Sequence, residues 1–300
     1  MVGTLAALGA TAFFSLNGAL SAVAYDLGAD PLSMSFWRAI TSATVLIGAI
    51  LALRIVRGRP FYDGRRPSRR AWGWLGVGVL AVTVQNLGIF GAFEQTTVVV
   101  ALVVFYAYPV MIGLASAALG LERMDARRWV ALIGAFAGCT LVVVGAGSTG
   151  DATAGGNVIV GAGMALVAAA AQTVYVLASR HGFASVPTPE TVATLNLGPA
   201  MMILLLGLLA GDHGLDPTAL TLQLATVYVL GAVLGQMVPM LLYQTGVRSI
   251  GPIDASTIAF AEPFFAAIVA LVVVGQAFTL VQVAGGVLVA GSALVVQRRG

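Results

Sequence analysis

Charge is scarce in this sequence, and lysine is missing altogether. Aspartate, glutamate and arginine together make up 9% of the 300 residues, where soluble domains carry about 25%. All 15 basic residues are arginine. Cysteine occurs once, at Cys139, so neither a disulfide framework nor a cysteine metal cluster can form within the chain. A lone thiol inside an apolar run reads as a small packing residue. The 2 histidines, His181 and His213, fall in predicted connections on opposite sides of the apolar segments and cannot join one triad. No HExxH helix, phosphate-binding glycine loop or GxSxG elbow is present. These absences exclude ATP hydrolysis within this chain, and they predict no enzyme activity, no metal and no cofactor.

What is there is apolar. Hydrophobic residues make up 59% of the chain, with a mean hydropathy of +0.97, more than a soluble fold can hide. About 20 apolar residues cross about 30 Å of hydrocarbon, so there is room for about ten spans and for little else. Runs of that length fall near Val2 to Tyr25, Pro31 to Leu53, Trp72 to Phe93, Thr97 to Leu119, Trp129 to Val144, Val158 to Ser179, Thr191 to Ala210, Leu222 to Thr245, Pro252 to Val274 and Leu280 to Val296. The first contains Ala22-Val23-Ala24, a signal-peptidase-like triplet, but has no basic n-region and is read as a retained helix.

The arginines report sidedness. A sequence pI near 9.4 could point to a nucleic-acid partner, but the basic residues are dispersed between apolar runs. Arg54, Arg57, Arg59, Arg65, Arg66, Arg69 and Arg70 follow span 2; Arg123, Arg127 and Arg128 follow span 4; Arg180 follows span 6; Arg248 follows span 8; Arg298 and Arg299 close the chain. All lie on one side. The opposite loops hold Asp26, Asp30, Glu94, Asp151, Asp212 and Asp216 and no arginine. The excess of arginine in short loops predicts that this side, with both termini, is cytoplasmic. Abundant Ala, Gly and Arg without Lys fits a GC-rich bacterial genome, hence an inner membrane.

The chain also repeats itself. At an offset of 154, Ala101, Ala107 and Pro109 coincide with Ala255, Ala261 and Pro263, and Glu122 with Gln276; a second correspondence sets Pro31 and Arg38 against Pro189 and Asn196. The predicted fold is therefore an all-α integral membrane protein of ten transmembrane helices in two inverted five-helix repeats. Residues 1–147 form the first repeat, 148–155 a periplasmic linker and 156–300 the second. An odd number of helices per repeat forces opposite polarity on the halves, a plan common in secondary transporters.

Ionisable groups at bilayer depth cost roughly 2.5 to 3.5 kcal/mol on insertion scales and are functional candidates by default. Arg38, Glu262 and Asp254 qualify. At about 1.5 Å per residue, Arg38 lies about 10 Å below the periplasmic surface and Glu262 about 15 Å above the cytoplasmic one. They can pair if spans 2 and 9 face one cavity; the bland alternative has each holding helices together. Arg38 suits a carboxylate through its planar donor fork, whereas Glu262 suits an ammonium or a proton. Asp254 reads first as a cap in the opening turn of span 9. A second tier of buried polar groups, Asn17, Gln85, Asn86, Gln172, Asn196, Gln236 and Gln244, predicts a polar-lined interior, with Tyr106 and Tyr108 as an aromatic wall. Each alone reads first as an interhelical bond. Pro109 and Pro263 leave the carbonyls of Phe105 and Ala259 without their usual donors and predict kinks. Gly134-Ala-Phe-Ala-Gly138 and Gly231-Ala-Val-Leu-Gly235 match a close-packing pattern within or between protomers.

The chain resembles the ten-helix, EamA-like branch of the drug/metabolite transporter superfamily. The likeness is carried by Pro31-Leu-Ser-Met-Ser-Phe-Trp-Arg38, Pro109, and Leu119-Gly-Leu-Glu-Arg123 leading through Trp129 to Gly138. In the second half it is carried by Gly251-Pro252, Glu262-Pro263 and Gly285-Gly286 to Gly291. Gln276 departs from the family's usual Gly-Glu pair. The resemblance implies a cavity between the halves that opens alternately to each side, with efflux of amino acids, other metabolites or drugs as the typical task. Expected partners are a small-molecule substrate, the lipid bilayer and protons. The competing class is a membrane-embedded enzyme or a binding adaptor on the same bundle. The first would cluster acid, His or Cys residues on one face and the second would carry a longer exposed segment; neither pattern is seen.

Overall fold

Polar punctuation sets the helix starts. Side chains of Asp30, Ser68, Asp125, Asn157 and Thr221 each accept a backbone N–H two or three residues onward, from Leu32 (2.8 Å), Ala71 (3.1 Å), Arg128 (2.8 Å), Ile159 (3.0 Å) and Leu224 (3.2 Å). Each satisfies a donor that a helix start leaves open and contributes about 1 kcal/mol.

The structure is a computed structural model that describes residues 2–56, 67–96, 98–122, 124–145, 157–210, 215, 220–274 and 279–297. Arg57, Arg59, Arg65, Arg66, Arg123, Asp151, Asp212, His213, Asp216, Gln276, Arg298, Arg299 and the 148–155 linker lie outside that set. The described residues form helices α1 (Val2–Phe14 continued by Leu16–Asp26), α2 (Pro31–Val56), α3 (Arg69–Gln95), α4 (Val98–Phe105 and Tyr108–Ala118) and α5 (Ala126–Gly145) in the first half. The second half has α6 (Val158–His181), α7 (Thr188–Ala210), α8 (Leu222–Ile250), α9 (Pro252–Ala259 and Glu262–Val274) and α10 (Leu280–Gln297). Among the described residues, 9 helices are long and apolar enough to cross a membrane, and α10 carries a shorter apolar stretch, Leu280–Ser292.

The outer surface of the bundle is greasy. Leu222 is 85% and Leu280 89% exposed, which in water would forgo about 1.5–3 kcal/mol per side chain and in hydrocarbon forgoes nothing. Hydroxyls within the spans bond back to their own helix, Thr11 to the Ala7 carbonyl (2.8 Å) and Thr140 to that of Phe136 (2.9 Å), as lipid requires of polar groups.

The halves pack on each other in symmetric pairs. Helix α3 lies on α6 as α8 lies on α1, α3 touches α7 as α8 touches α2, and α2·α7, α4·α9 and α5·α10 are self-related. That pattern is what a two-fold axis between inverted repeats produces. The small residues serve this packing within one chain. A Cβ at Gly138 would fall 2.7 Å from the Gly285 carbonyl oxygen of α10, and one at Gly134 2.8 Å from Ser292 Oγ. Gly231 and Gly235, by contrast, face the side chains of Arg38 and Asn17.

Arginine-bearing ends gather on one face. Arg54 of α2 pairs with Glu190 of α7, Arg180 donates to the Arg248 carbonyl, and Arg248 donates to the Val186 carbonyl (2.6 Å) and to Thr191 Oγ1 (2.9 Å). On the same face Arg128 lies 3.5 Å from Glu122 and 3.7 Å from Asp254. Asp254, expected as a cap, thus also ties the start of α9 to the start of α5. Gly251, between α8 and α9, has φ +91°, a left-handed geometry that leaves room for the Glu122 carboxylate 2.9 Å from where a Cβ would be and that favours glycine.

Burial pushes the Glu122 carboxyl above the usual glutamate value of 4.5, against the pull of Arg128, His181 and Arg180. Asp254 and Asp125 belong to the same cluster. A carboxyl raised on folding contributes stability that is complete below its unfolded pKa and is lost as pH climbs through the folded value. Melting in detergent should therefore show wild-type stability declining from about pH 4.5 upward, with a shallower decline in Glu122→Gln. Equal slopes in the two proteins would refute the assignment.

Candidate functional site

Helices α4 and α9 break at the same register. Pro109 has no N–H for the Phe105 carbonyl and Pro263 none for that of Ala259. In both places the chain tightens to i→i−3 bonds, Ala107 to Val104 (3.1 Å) and Ala261 to Ile258 (3.0 Å). The breaks fall at Tyr106-Ala107 and Phe260-Ala261, 154 residues apart. The aromatic rings of Tyr106 and Phe260 meet across the two halves with centroids 6.5 Å apart. The next symmetric pair carries the chemistry: Tyr108 opens the second piece of α4 and Glu262 the second piece of α9.

Glu262 stands at a helix start whose free N–H groups favour an anion. The Tyr106 hydroxyl faces its carboxylate, and Tyr108, Cys139 and Tyr243 lie within its electrostatic reach. Cys139, expected as mere packing, is fully buried as such a residue would be, and it also borders the carboxylate. Tyr243 faces Tyr108 without completing a hydrogen bond to it and stacks edge-on with Phe14 at 6.3 Å. The site thus draws on α1, α4, α5, α8 and α9 from both halves.

Arg38 takes different partners. It is only 6% exposed. Its Nη2 donates to Asn17 Oδ1 at 2.9 Å, while its Nε has no acceptor among the described residues. Opposite, α8 departs from α-helical winding over Val233–Met237, one π turn. Such turns frequently mark functional sites. This one presents Gly235 to the Asn17 amide and Gln236 to Asn196. Among the described residues no Arg38–Glu262 pair occurs: Arg38 bonds Asn17, and Glu262 faces Tyr106.

Asn196, at the position inverted-equivalent to Arg38, is fully buried. It accepts from Gln236 Nε2 and donates to the Val192 carbonyl at 2.7 Å. Gln244 Oε1 accepts from Ser179 (2.6 Å) and Tyr175 (3.4 Å), but its buried Nε2 finds no partner among the described residues. Gln85, Asn86 and Gln172 are half-buried. Sequence reasoning overlooked Tyr243, the π turn and the alignment of Tyr108 with Glu262. The last was legible at the 154 offset already used for Pro109 and Pro263.

Two broken helices in register at an inverted-repeat interface describe a transporter plan, and family comparison agrees. The EamA-like transporter family matches residues 1–144 and again residues 159–298. The chain belongs to the EamA-like transporter family. Membership makes it a multi-pass membrane protein and a transporter of small molecules, with each five-helix half matching the family separately. A solved structure titled "Crystal structure of protein" is similar at 21% identity and a TM-score of 0.78, covering 98% of this chain and 97% of that one; at that identity it speaks to the fold alone. A search of curated proteins finds no match.

Proposed function

We propose that this EamA-like chain exports small metabolites, amino acids and related compounds or drugs among them, by alternating access between its two halves. Residues 1–147 and 156–300 are the two moving units, joined by 148–155. The membrane is a bacterial inner membrane, with both termini in the cytoplasm and protons as the coupling ion. The observation that carries this reading is the pair of registered breaks at Tyr106-Ala107 and Phe260-Ala261. A span broken at mid-depth gives two half-helices that can pivot separately. It also places helix starts and a carboxylate where a solute passes, in the manner of discontinuous transporter helices. Gln85, Asn86, Gln172 and Tyr108 join Arg38, Glu262 and Asn17 as the residues a solute meets.

Counterflow in proteoliposomes tests it against a panel of amino acids, sugars, nucleotides and cationic drugs, with and without a pH gradient. One class should exchange at rates well above empty liposomes; a folded protein that exchanges none would sink the reading.

Sidedness has its own test. Cys139 is buried, so the native background is quiet. Single cysteines placed at 148–155 should react with an impermeant maleimide added outside whole cells, and a cysteine at Arg65 should not. The reverse pattern would invert the topology.

A further inference from the structure

We infer that Arg38 seats a substrate carboxylate, so that the solute moved by this protein is a small carboxylate-bearing molecule and not a neutral or purely cationic one. The inference rests on the transport reading and names the substrate class of that site.

The first ground is a missing counter-charge. Buried charges are ordinarily paired, because an isolated one is costly to remove from water. Arg38 is 94% buried, taking its 6% exposure from the whole, yet its hydrogen-bond partner is the neutral amide of Asn17. Tyr25, a phenol, is the titratable group that bears on it electrostatically. The nearby acid Asp30 is occupied in capping α2 through Leu32 and Ser33, and Asp26 is exposed at the end of α1. Among the described residues, the ion pairs involve Arg54 and Arg128, not Arg38.

A second ground is geometry. With Nη2 committed to Asn17, Nε is a buried donor with no acceptor among the described residues. A carboxylate can bridge neighbouring N–H groups of a guanidinium, which makes it the anion whose shape the fork matches. On the α8 side the neighbour of Arg38 is a glycine. A Cβ at Gly231 would lie 3.4 Å from Arg38 Cδ and 3.6 Å from its Nε, so glycine leaves that flank free of a side chain. Trp37 Nε1 and Ser42 Oγ, on the same helix, are likewise buried without partners among the described residues.

Third, the charge is not repeated across the halves. The inverted-equivalent position in α7 carries Asn196, which closes its bonds with Gln236 and its own helix. The guanidinium on α2 is an asymmetry laid on a symmetric frame, as expected of a group with a ligand and not of a structural strut.

The test uses the purified full-length protein and a matched panel: free L-amino acids and short monocarboxylates, against the same molecules as amides or methyl esters. Binding is read as a shift in melting temperature and flux as counterflow. Acids should bind about 10- to 100-fold more tightly than their blocked forms, the span expected for losing a charge-assisted hydrogen bond. Arg38→Gln should erase the preference. Arg38→Lys should keep part of it, having the charge without the fork. Equal binding of acid and blocked form by the unaltered protein overturns the inference, and that comparison requires no variant to fold. So does stabilisation by chloride or phosphate alone, no response to any carboxylate, or an acid preference surviving in a folded Arg38→Gln. Carboxylate binding without counterflow refutes the transport reading instead, whereas counterflow indifferent to the carboxylate refutes only this inference.

Discussion

Glu262→Gln is expected to lose accumulation driven by a pH gradient while still exchanging substrate down its own gradient. With one proton exchanged per solute, a one-unit pH difference sustains about tenfold accumulation, since 1.4 kcal/mol is a factor of ten. The variant should fall from about tenfold to no accumulation. The reason is positional. Glu262 sits at the break of α9 and faces Tyr106 of the other half. A group that bridges the halves and exchanges a proton couples protonation to their relative position. Glutamine keeps an oxygen for the Tyr106 hydroxyl, so the melting temperature should move by only a few degrees, which separates coupling from folding. Full gradient-driven accumulation with unchanged substrate affinity in Glu262→Gln would leave facilitated export through a neutral cavity as the better account.

Gly138→Ala and Gly285→Ala should each destabilise the protein by about 1–3 kcal/mol, the cost of forcing an extra methyl into a packed contact. A Cβ at Gly138 would sit 2.7 Å from the Gly285 carbonyl oxygen and 2.9 Å from the Val289 nitrogen. One at Gly285 would sit 2.6 Å from the Gly138 carbonyl oxygen and 2.9 Å from the Val142 nitrogen. These are backbone atoms and cannot rotate aside, so α5 and α10 would have to separate. Once separated by one alanine they have room for the second, and the double variant should lose less than the sum of the two singles. Gly48 provides the contrast, with nothing within 4 Å of its would-be Cβ; alanine there should be neutral or stabilising, because it favours helix by up to about 1 kcal/mol. Thermal unfolding in one detergent at one pH measures all four. A Gly138→Ala protein as stable as Gly48→Ala would show that α5 and α10 do not approach so closely.

Arginine placement and the two prolines were open to inspection in the chain itself, and the described residues agree with both. The arginine-bearing ends of α2, α6 and α8 meet on one face, and Pro109 and Pro263 are the second residues of the pieces that follow matching breaks, whereas the caps at Ser68 and Thr221 emerged only in the structure. Glu122 and Asp254 were visible as residues, but not as two carboxylates sharing Arg128 across the halves. The same holds for Gly134-to-Gly138 and Gly231-to-Gly235. The two patterns read alike, yet the first packs onto α10, Gly138 on the Gly285 backbone and Gly134 on the Ser292 hydroxyl, and the second leaves room beside Arg38 and Asn17.

The division has a physical cause. In hydrocarbon each helix must satisfy its own backbone hydrogen bonds, so span, cap and break depend on residues near one another in the chain, and the sequence by itself determined them. Between helices there is little hydrophobic drive, because lipid is as apolar as leucine, and association rests on close packing and a few polar contacts. Those depend on how each helix is rotated and crossed against residues far away in the chain. Only the tertiary structure, therefore, decided that Arg38 turns to Asn17 instead of Glu262, that Tyr106 reaches Glu262, and that Gly138 meets Gly285.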